Sequence, residues 1–204
     1  MKSLVFAIVM WCMASNTAYG VLLELDWQAT GDGALTQDTV TGLLWLDLGA
    51  AFNRSYNDVS TQFGAGGDFE GFRYASEQEV RTLFANAGIV DLSGNWNPLN
   101  YQAVLDLQTL IGITRSSFGE SFGVTGDQGI NSSYLLGIGV QQQSNPASSV
   151  YQQARVLVNS GITPDQTAFL GHWLVMPVPL PPALWLFCAG LLGLLGSART
   201  KKTD

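Results

Sequence analysis

The chain has 204 residues, 47% of them apolar and only 12% charged, with nine Lys and Arg against 16 Asp and Glu; the charged share is about half the usual ~25% of a globular chain. Residues 21–176 hold 15 of the acids and five scattered arginines with no lysine, so they offer no cationic surface for phosphates, and nucleic acid is excluded as a partner. Both cysteines, Cys12 and Cys188, sit in apolar end segments, which leaves the middle of the chain no internal disulfide and no thiolate metal site.

The amino end reads as a secretory signal peptide, residues 1–20. Lys2 supplies a positive start, Leu4 to Ala14 is an apolar run of 11 residues, and Ala18-Tyr19-Gly20 offers small residues for signal peptidase at Ala18 and Gly20. A membrane anchor needs about 20 apolar residues, well beyond this run. Cys12 follows Val9-Met10-Trp11, which lacks the small residue that lipid attachment requires.

The body, 21–176, opens with Leu23, Leu25 and Trp27 alternating with Glu24 and Asp26, the period of a half-buried strand. Gly31-Asp32-Gly33 turns the chain, and Leu35–Asp38 and Leu43–Leu48 read as a hairpin across Thr39-Val40-Thr41-Gly42. Three helices follow. Ser55 with Asp58 caps one bearing Tyr56, Val59 and Phe63, closed by Gly64. Ser76 with Glu79 forms a capping box before Val80, Leu83, Phe84 and Ala87, and Gly88 stops that helix. Asn97-Pro98 opens the third, with Val104, Leu107 and Ile111 inward and Gly112 at its end. Strands return at Tyr134–Val140, Val150–Val158 and Phe169–Val175, while Val124–Gly129 and Gln141–Pro146 read as loops. Strands, then helices, then strands predict an α+β fold with a mixed or antiparallel sheet and two or three short helices.

Catalytic chemistry is sparsely signalled. His172, the single histidine, lies in an apolar strand and reads as structural. Gly119-Glu120-Ser121-Phe122-Gly123, with Asp165 and His172 downstream, has the chain order of an α/β-hydrolase triad. A chain with 23 glycines carries such a string by chance in about one case in five, and 156 residues is small for that fold. A small secreted serine hydrolase is therefore the alternative to a non-enzymatic body. No acidic run has the spacing of a calcium loop, so Asp32, Asp38 and Asp127 carry no metal prediction, and no cofactor is expected. Among the aromatics, Trp96 in the polar run Gly94-Asn95-Trp96-Asn97 is expected to be exposed and is the candidate ligand contact.

The carboxyl end, 177–204, combines three parts. Pro177, Pro179, Pro181 and Pro182 place four of the seven prolines in a segment of six residues, 177–182, held extended and clear of the fold. Ala183 to Ala198 is uncharged for 16 residues, about 24 Å of helix against a ~30 Å hydrocarbon core, and reads as a transmembrane helix. Arg199, Lys201 and Lys202, within the tail 199–204, form a basic stop on the cytoplasmic side. Val178-Pro179-Leu180-Pro181-Pro182-Ala183, followed by Leu191-Leu192-Gly193-Leu194 and the basic end, resembles the PEP-CTERM class of bacterial sorting signals in its VPLPA-CTERM variant. That resemblance implies processing by an exosortase, transient residence in the inner membrane, and a Gram-negative producer of exopolysaccharide. It implies a cell-surface or secreted destination, with biofilm matrix as its setting and exopolysaccharide as the candidate partner. Pro182 and Cys188 depart from the usual pattern.

Within the body, Asp38-Thr39-Val40-Thr41-Gly42-Leu43-Leu44-Trp45, Ser55–Val59 and Gly71–Val80 are similar to a module carried by PEP-CTERM proteins and to Lcl-type, C-type-lectin-like bacterial surface domains. The resemblance covers about 45 residues and implies a C-type-lectin-like fold.

Overall fold

A computed structural model describes residues 21–129, 132–145, 149–166 and 171–178. The expected signal peptide, the motif from Pro179 onward, the span 183–198 and the basic tail lie outside the described residues.

Among the described residues the fold is α+β, with two sheets and three short α-helices. Strands β1 (Leu22–Leu25), β2 (Leu35–Asp38) and β3 (Leu43–Leu46) form an antiparallel meander in which Leu25 pairs with Leu35 and Asp38 with Leu43. Two aspartates make its turns. Asp32 accepts from the N–H groups of Trp27, Gln28, Ala29 and Ala34, and these donors hold its carboxyl down at about 2. Buried Asp38 accepts from Val40 N–H and the Asn86 side chain while Gly42 turns at φ 67°. The half-buried alternation expected in β1 is absent: Leu23 and Leu25 are 44% and 39% exposed, Glu24 is exposed as well, and of the four residues Leu22 alone packs against the core. β1 is the edge strand of its sheet, paired with β2 alone.

Helix α1 (Tyr56–Ser60) is capped by the Ser55 hydroxyl, which accepts from Asp58 N–H. Helix α2 (Glu77–Asn86) carries the expected capping box between Ser76 and Glu79 and buries Val80, Leu83 and Phe84. Helix α3 (Tyr101–Ile111) follows the turn Pro98–Asn100 and buries Val104, Leu107 and Ile111. Between α1 and α2 lies the two-residue strand β4 (Arg73–Tyr74).

Strands β5 (Glu120–Gly129), β6 (Ser132–Asn145) and β7 (Ser149–Ile162) build the second sheet. The stretch Val124–Gly129, expected as a loop, is thus strand. Glycine there serves close packing instead of a turn: a Cβ on Gly126 would stand 3.0 Å from the Cβ of Tyr74. Gln141–Asn145, also expected as loop, continues β6 in register with Ser149–Gln153.

The chain then crosses between sheets in eight residues. Strand β8 (Gly171–His172) pairs in parallel with β5, and β9 (Leu174–Pro177) enters the first sheet between β3 and β4, giving the orders β7-β6-β5-β8 and β1-β2-β3-β9-β4. Pro177, expected to stand clear of the fold, pairs with Leu43, and Val178 N–H donates to the Gly42 carbonyl. Being the last residue of its strand, Pro177 faces no ladder acceptor that would need its missing N–H.

Trp173 sits at the crossing. Its backbone N–H donates to Val124 O and its carbonyl accepts from Ala75, while its indole N–H donates to Leu136 O at 2.8 Å. Its ring meets Trp45 and Phe84 edge-on, with centroids 6.0 and 5.6 Å away. Both helices α2 and α3 pack onto this centre through Leu83, Phe84, Leu107 and Ile111. Trp173→Ala is therefore expected to lower unfolding free energy by about 3–5 kcal/mol, a cavity cost that consumes a large part of a domain's ~5–15 kcal/mol; chemical denaturation measures it.

Candidate functional site

The triad suggested by the sequence is not assembled. Ser121 lies within β5 instead of at a strand-to-helix turn, is fully buried, and donates its hydroxyl to Gly112 O at 2.7 Å. Asp165 accepts from the Asn57 side chain at 2.6 Å. His172 is fully buried, with Nε2 2.9 Å from the Arg54 carbonyl and Nδ1 2.7 Å from the Tyr74 hydroxyl. A carbonyl only accepts, so Nε2 carries the proton and Nδ1 receives the Tyr74 O–H. Both ring nitrogens are thereby committed, as the structural reading of His172 expects. Burial lowers this imidazole to about 4, and burial likewise pushes the Tyr74 phenol far above its usual range.

Among the described residues no three His, Cys, Asp or Glu side chains are placed to hold an ion. Asp32 is occupied by backbone N–H groups. Asp47 is half-buried, and one of its oxygens is sequestered with no hydrogen-bond partner among the described residues. Burial first, then the charges of Glu24 and Asp32, raise it to about 7.

Trp96 is 36% exposed, as the sequence predicts, and the Arg155 guanidinium lies 4.5 Å from its ring centroid. One face of the ring is thus covered by a cation. Arg155 comes from β7, which the Trp96 loop borders through the bridge between Asn97 and Ala154.

A better-formed concavity lies elsewhere. A cleft of about 520 Å³ is lined by Phe52, Ile113, Arg115, Ser116, Ser117 and Phe118. It is made by the loop after α3, pinned where Arg115 bridges Glu120 and where Gln108 donates to the Gly119 carbonyl. Gly119 closes the loop in the left-handed region, φ 61°, with Val140 only 3.1 Å from where a Cβ would stand. Ile113 and Phe118 are 52% and 62% exposed. Arg115 stands 4.6 Å from the Phe118 centroid, 5.6 Å from that of Phe122, and 2.9 Å from Glu120. Aromatic rings, two serine hydroxyls and the Arg115 guanidinium around one hollow suit a polar ligand with an apolar face. The sequence reading missed this cleft, since Ser116-Ser117-Phe118 carries no motif; its one signal was an aromatic stranded in a polar run.

Of the predicted carboxyl-terminal motif, only Val178 is described, and it is tied into the first sheet. No helix among the described residues is long and apolar enough to cross a membrane. Compared with known proteins, the chain matches no family model, no curated protein and no solved structure.

Two of the shifted groups, His172 and Asp47, oppose each other. His172, lowered from 6.5 to about 4, adds stability that is complete above pH 6.5 and lost as pH falls toward 4, because the unfolded chain takes up the proton first; the gap corresponds to ~3 kcal/mol. Asp47, raised from 3.8 to about 7, favours the fold at low pH and disfavours it as pH rises through 7, by ~1–2 kcal/mol after solvent screening. Asp47→Asn is expected to raise the unfolding midpoint at pH 8 and leave it nearly unchanged at pH 4, and His172→Gln to flatten the loss between pH 6.5 and 4; denaturation at several pH values reads both.

Proposed function

We propose that this is an exported bacterial envelope or extracellular-matrix protein whose body is a non-enzymatic adhesion or carbohydrate-binding module. Its last residues are a VPLPA-type sorting signal. Signal peptidase removes the first 20 residues, the apolar span 183–198 holds the chain in the inner membrane, and an exosortase cuts it free for the cell surface or the medium. The observation that carries this reading is the order of parts at the carboxyl end: Val178-Pro179-Leu180-Pro181-Pro182-Ala183, then the uncharged stretch that runs to Ala198, then Arg199, Lys201 and Lys202. The C-type-lectin-like resemblance of the sequence belongs to this proposal, and the cleft at Phe118 and Arg115 is the place assigned to a sugar: ring faces stack on Phe118 while hydroxyls meet Ser116, Ser117 and Arg115.

Intact-mass analysis of the protein released by its producer tests the processing. The expected product lacks residues 1–20 and the basic end Arg199–Asp204; a product retaining Lys202 would identify a permanent anchor. Retention of that product on the producer's own polysaccharide tests the binding. Phe118→Ala is expected to weaken it at least about tenfold, the scale of losing one aromatic stack, and Trp96→Ala measures the second exposed ring. Absence of retention by the unaltered protein would remove the carbohydrate role.

A further inference from the structure

Strand β6 outruns its neighbour β5. Pairing between them ends at Glu120 and Gly139, yet β6 and β7 remain in register out to Asn145 and Ser149. The excess, 141–145 against 149–153, is a two-stranded arm about 17 Å long at ~3.3 Å per residue. β7 is also the edge strand of its sheet. The direction of its backbone groups follows from one contact: Ala154 exchanges both of its hydrogen bonds with Asn97, on the side away from β6. Antiparallel strands alternate this direction every residue, so Val150 and Gln152 also aim N–H and C=O outward, where no strand among the described residues receives them.

Natural edges of this kind are normally guarded by Lys, Pro or an inward charge. Ser149-Val150-Tyr151-Gln152-Gln153 has none of these, and every residue from Gln128 to Ala154 is uncharged. The remainder of the body carries 15 acids against five arginines, so two copies repel each other over most of their surfaces and approach at least cost here. The edge is also self-complementary. An antiparallel partner centred on Tyr151 sets Val150 opposite Gln152 of the second copy and Gln152 opposite Val150, and each outward pair exchanges two hydrogen bonds.

We infer that the outer edge of β7, Ser149–Gln153, is a self-association site that joins two copies of this chain through antiparallel strand addition. The inference is independent of the proposed sorting and sugar binding. Asn97 on Ala154 bounds the pairing at one end, which limits the contact to five residues a side and makes a reversible dimer. A two-fold contact of this kind closes on itself and so yields a dimer instead of a fibre.

The full chain in detergent, with Cys12→Ser and Cys188→Ser, provides the test. Tyr151 meets its counterpart across a non-hydrogen-bonded pair, a Cα separation of ~4.5 Å that a disulfide spans. Tyr151→Cys in that background is expected to oxidise to a covalent dimer at least about tenfold faster than Gln143→Cys, which sits opposite it on the inner strand β6. Sedimentation is expected to show a dimer of the cysteine-free chain that Gln152→Pro converts to monomer, since proline there removes only an outward N–H. Gln152→Lys repeats the test through charge and keeps it decisive if the proline variant unfolds. A monomer at the highest soluble concentration, or faster cross-linking through Gln143→Cys, would overturn the assignment.

Discussion

Residues 171–178 hold the two sheets of this protein together. Gly171 and His172 belong to one sheet and Leu174 to Pro177 to the other, with Trp173 bonded to both through its own backbone. Two strands supplied by one continuous segment fix the relative placement of the sheets more firmly than side-chain packing alone. The last of the described residues thereby complete a fold begun by the first of them. Long-range closure of this kind costs loop entropy before it returns any contact, so the Trp173 cluster with Trp45, Phe84 and the Leu136 carbonyl has to supply the gain in one place.

The surface features hang on that frame. His172 is neutral and spent on Tyr74 and Arg54 because it belongs to the crossing, which is the physical reason the one histidine is not available for chemistry at Ser121. The cleft at Arg115 and Phe118 sits on the loop that returns from α3 into β5, so a rigid helix and a rigid strand hold its two ends. Glycine does much of the fitting. Gly123, Gly137 and Gly171 all lie where a Cβ would come within 3 Å of a neighbouring side chain or carbonyl, and backbone approach of that kind lets strands lie tight on Leu48, Phe122 and Trp173.

Local signals were legible in the sequence where the physics was local. The capping box at Ser76 and Glu79, the Ser55 cap, the start of the third helix at Asn97-Pro98 and the hairpin closed by Asp38 and Gly42 all form as read. What escaped depended on tertiary context. Val124–Gly129 looked like a loop because glycine and polar residues are loop formers in isolation, yet their smallness serves packing between layers. Gln141–Asn145 looked like a loop because glutamine has no strong preference, and only its register with Tyr151 and its neighbours makes it strand. The alternation of β1 marks a strand but not its half-burial, since periodicity cannot tell whether another layer will cover either side. The candidate site was the least legible part: the ring of Phe118, the hydroxyls of Ser116 and Ser117 and the Arg115 guanidinium become a cleft only once the chain has doubled back on itself.

Closure of the fold by residues 171–178, which supply a strand to each sheet, is what the rest depends on. Thermal unfolding of two truncated chains measures this directly. A chain of residues 21–178 should unfold in one cooperative transition within about 2–4 °C of the chain 21–204, the scale of a ~1 kcal/mol difference in a domain this size, whereas a chain of residues 21–170, deprived of Trp173 and β9, should show no cooperative transition. A cooperative transition retained by 21–170, or lost by 21–178, would contradict the account.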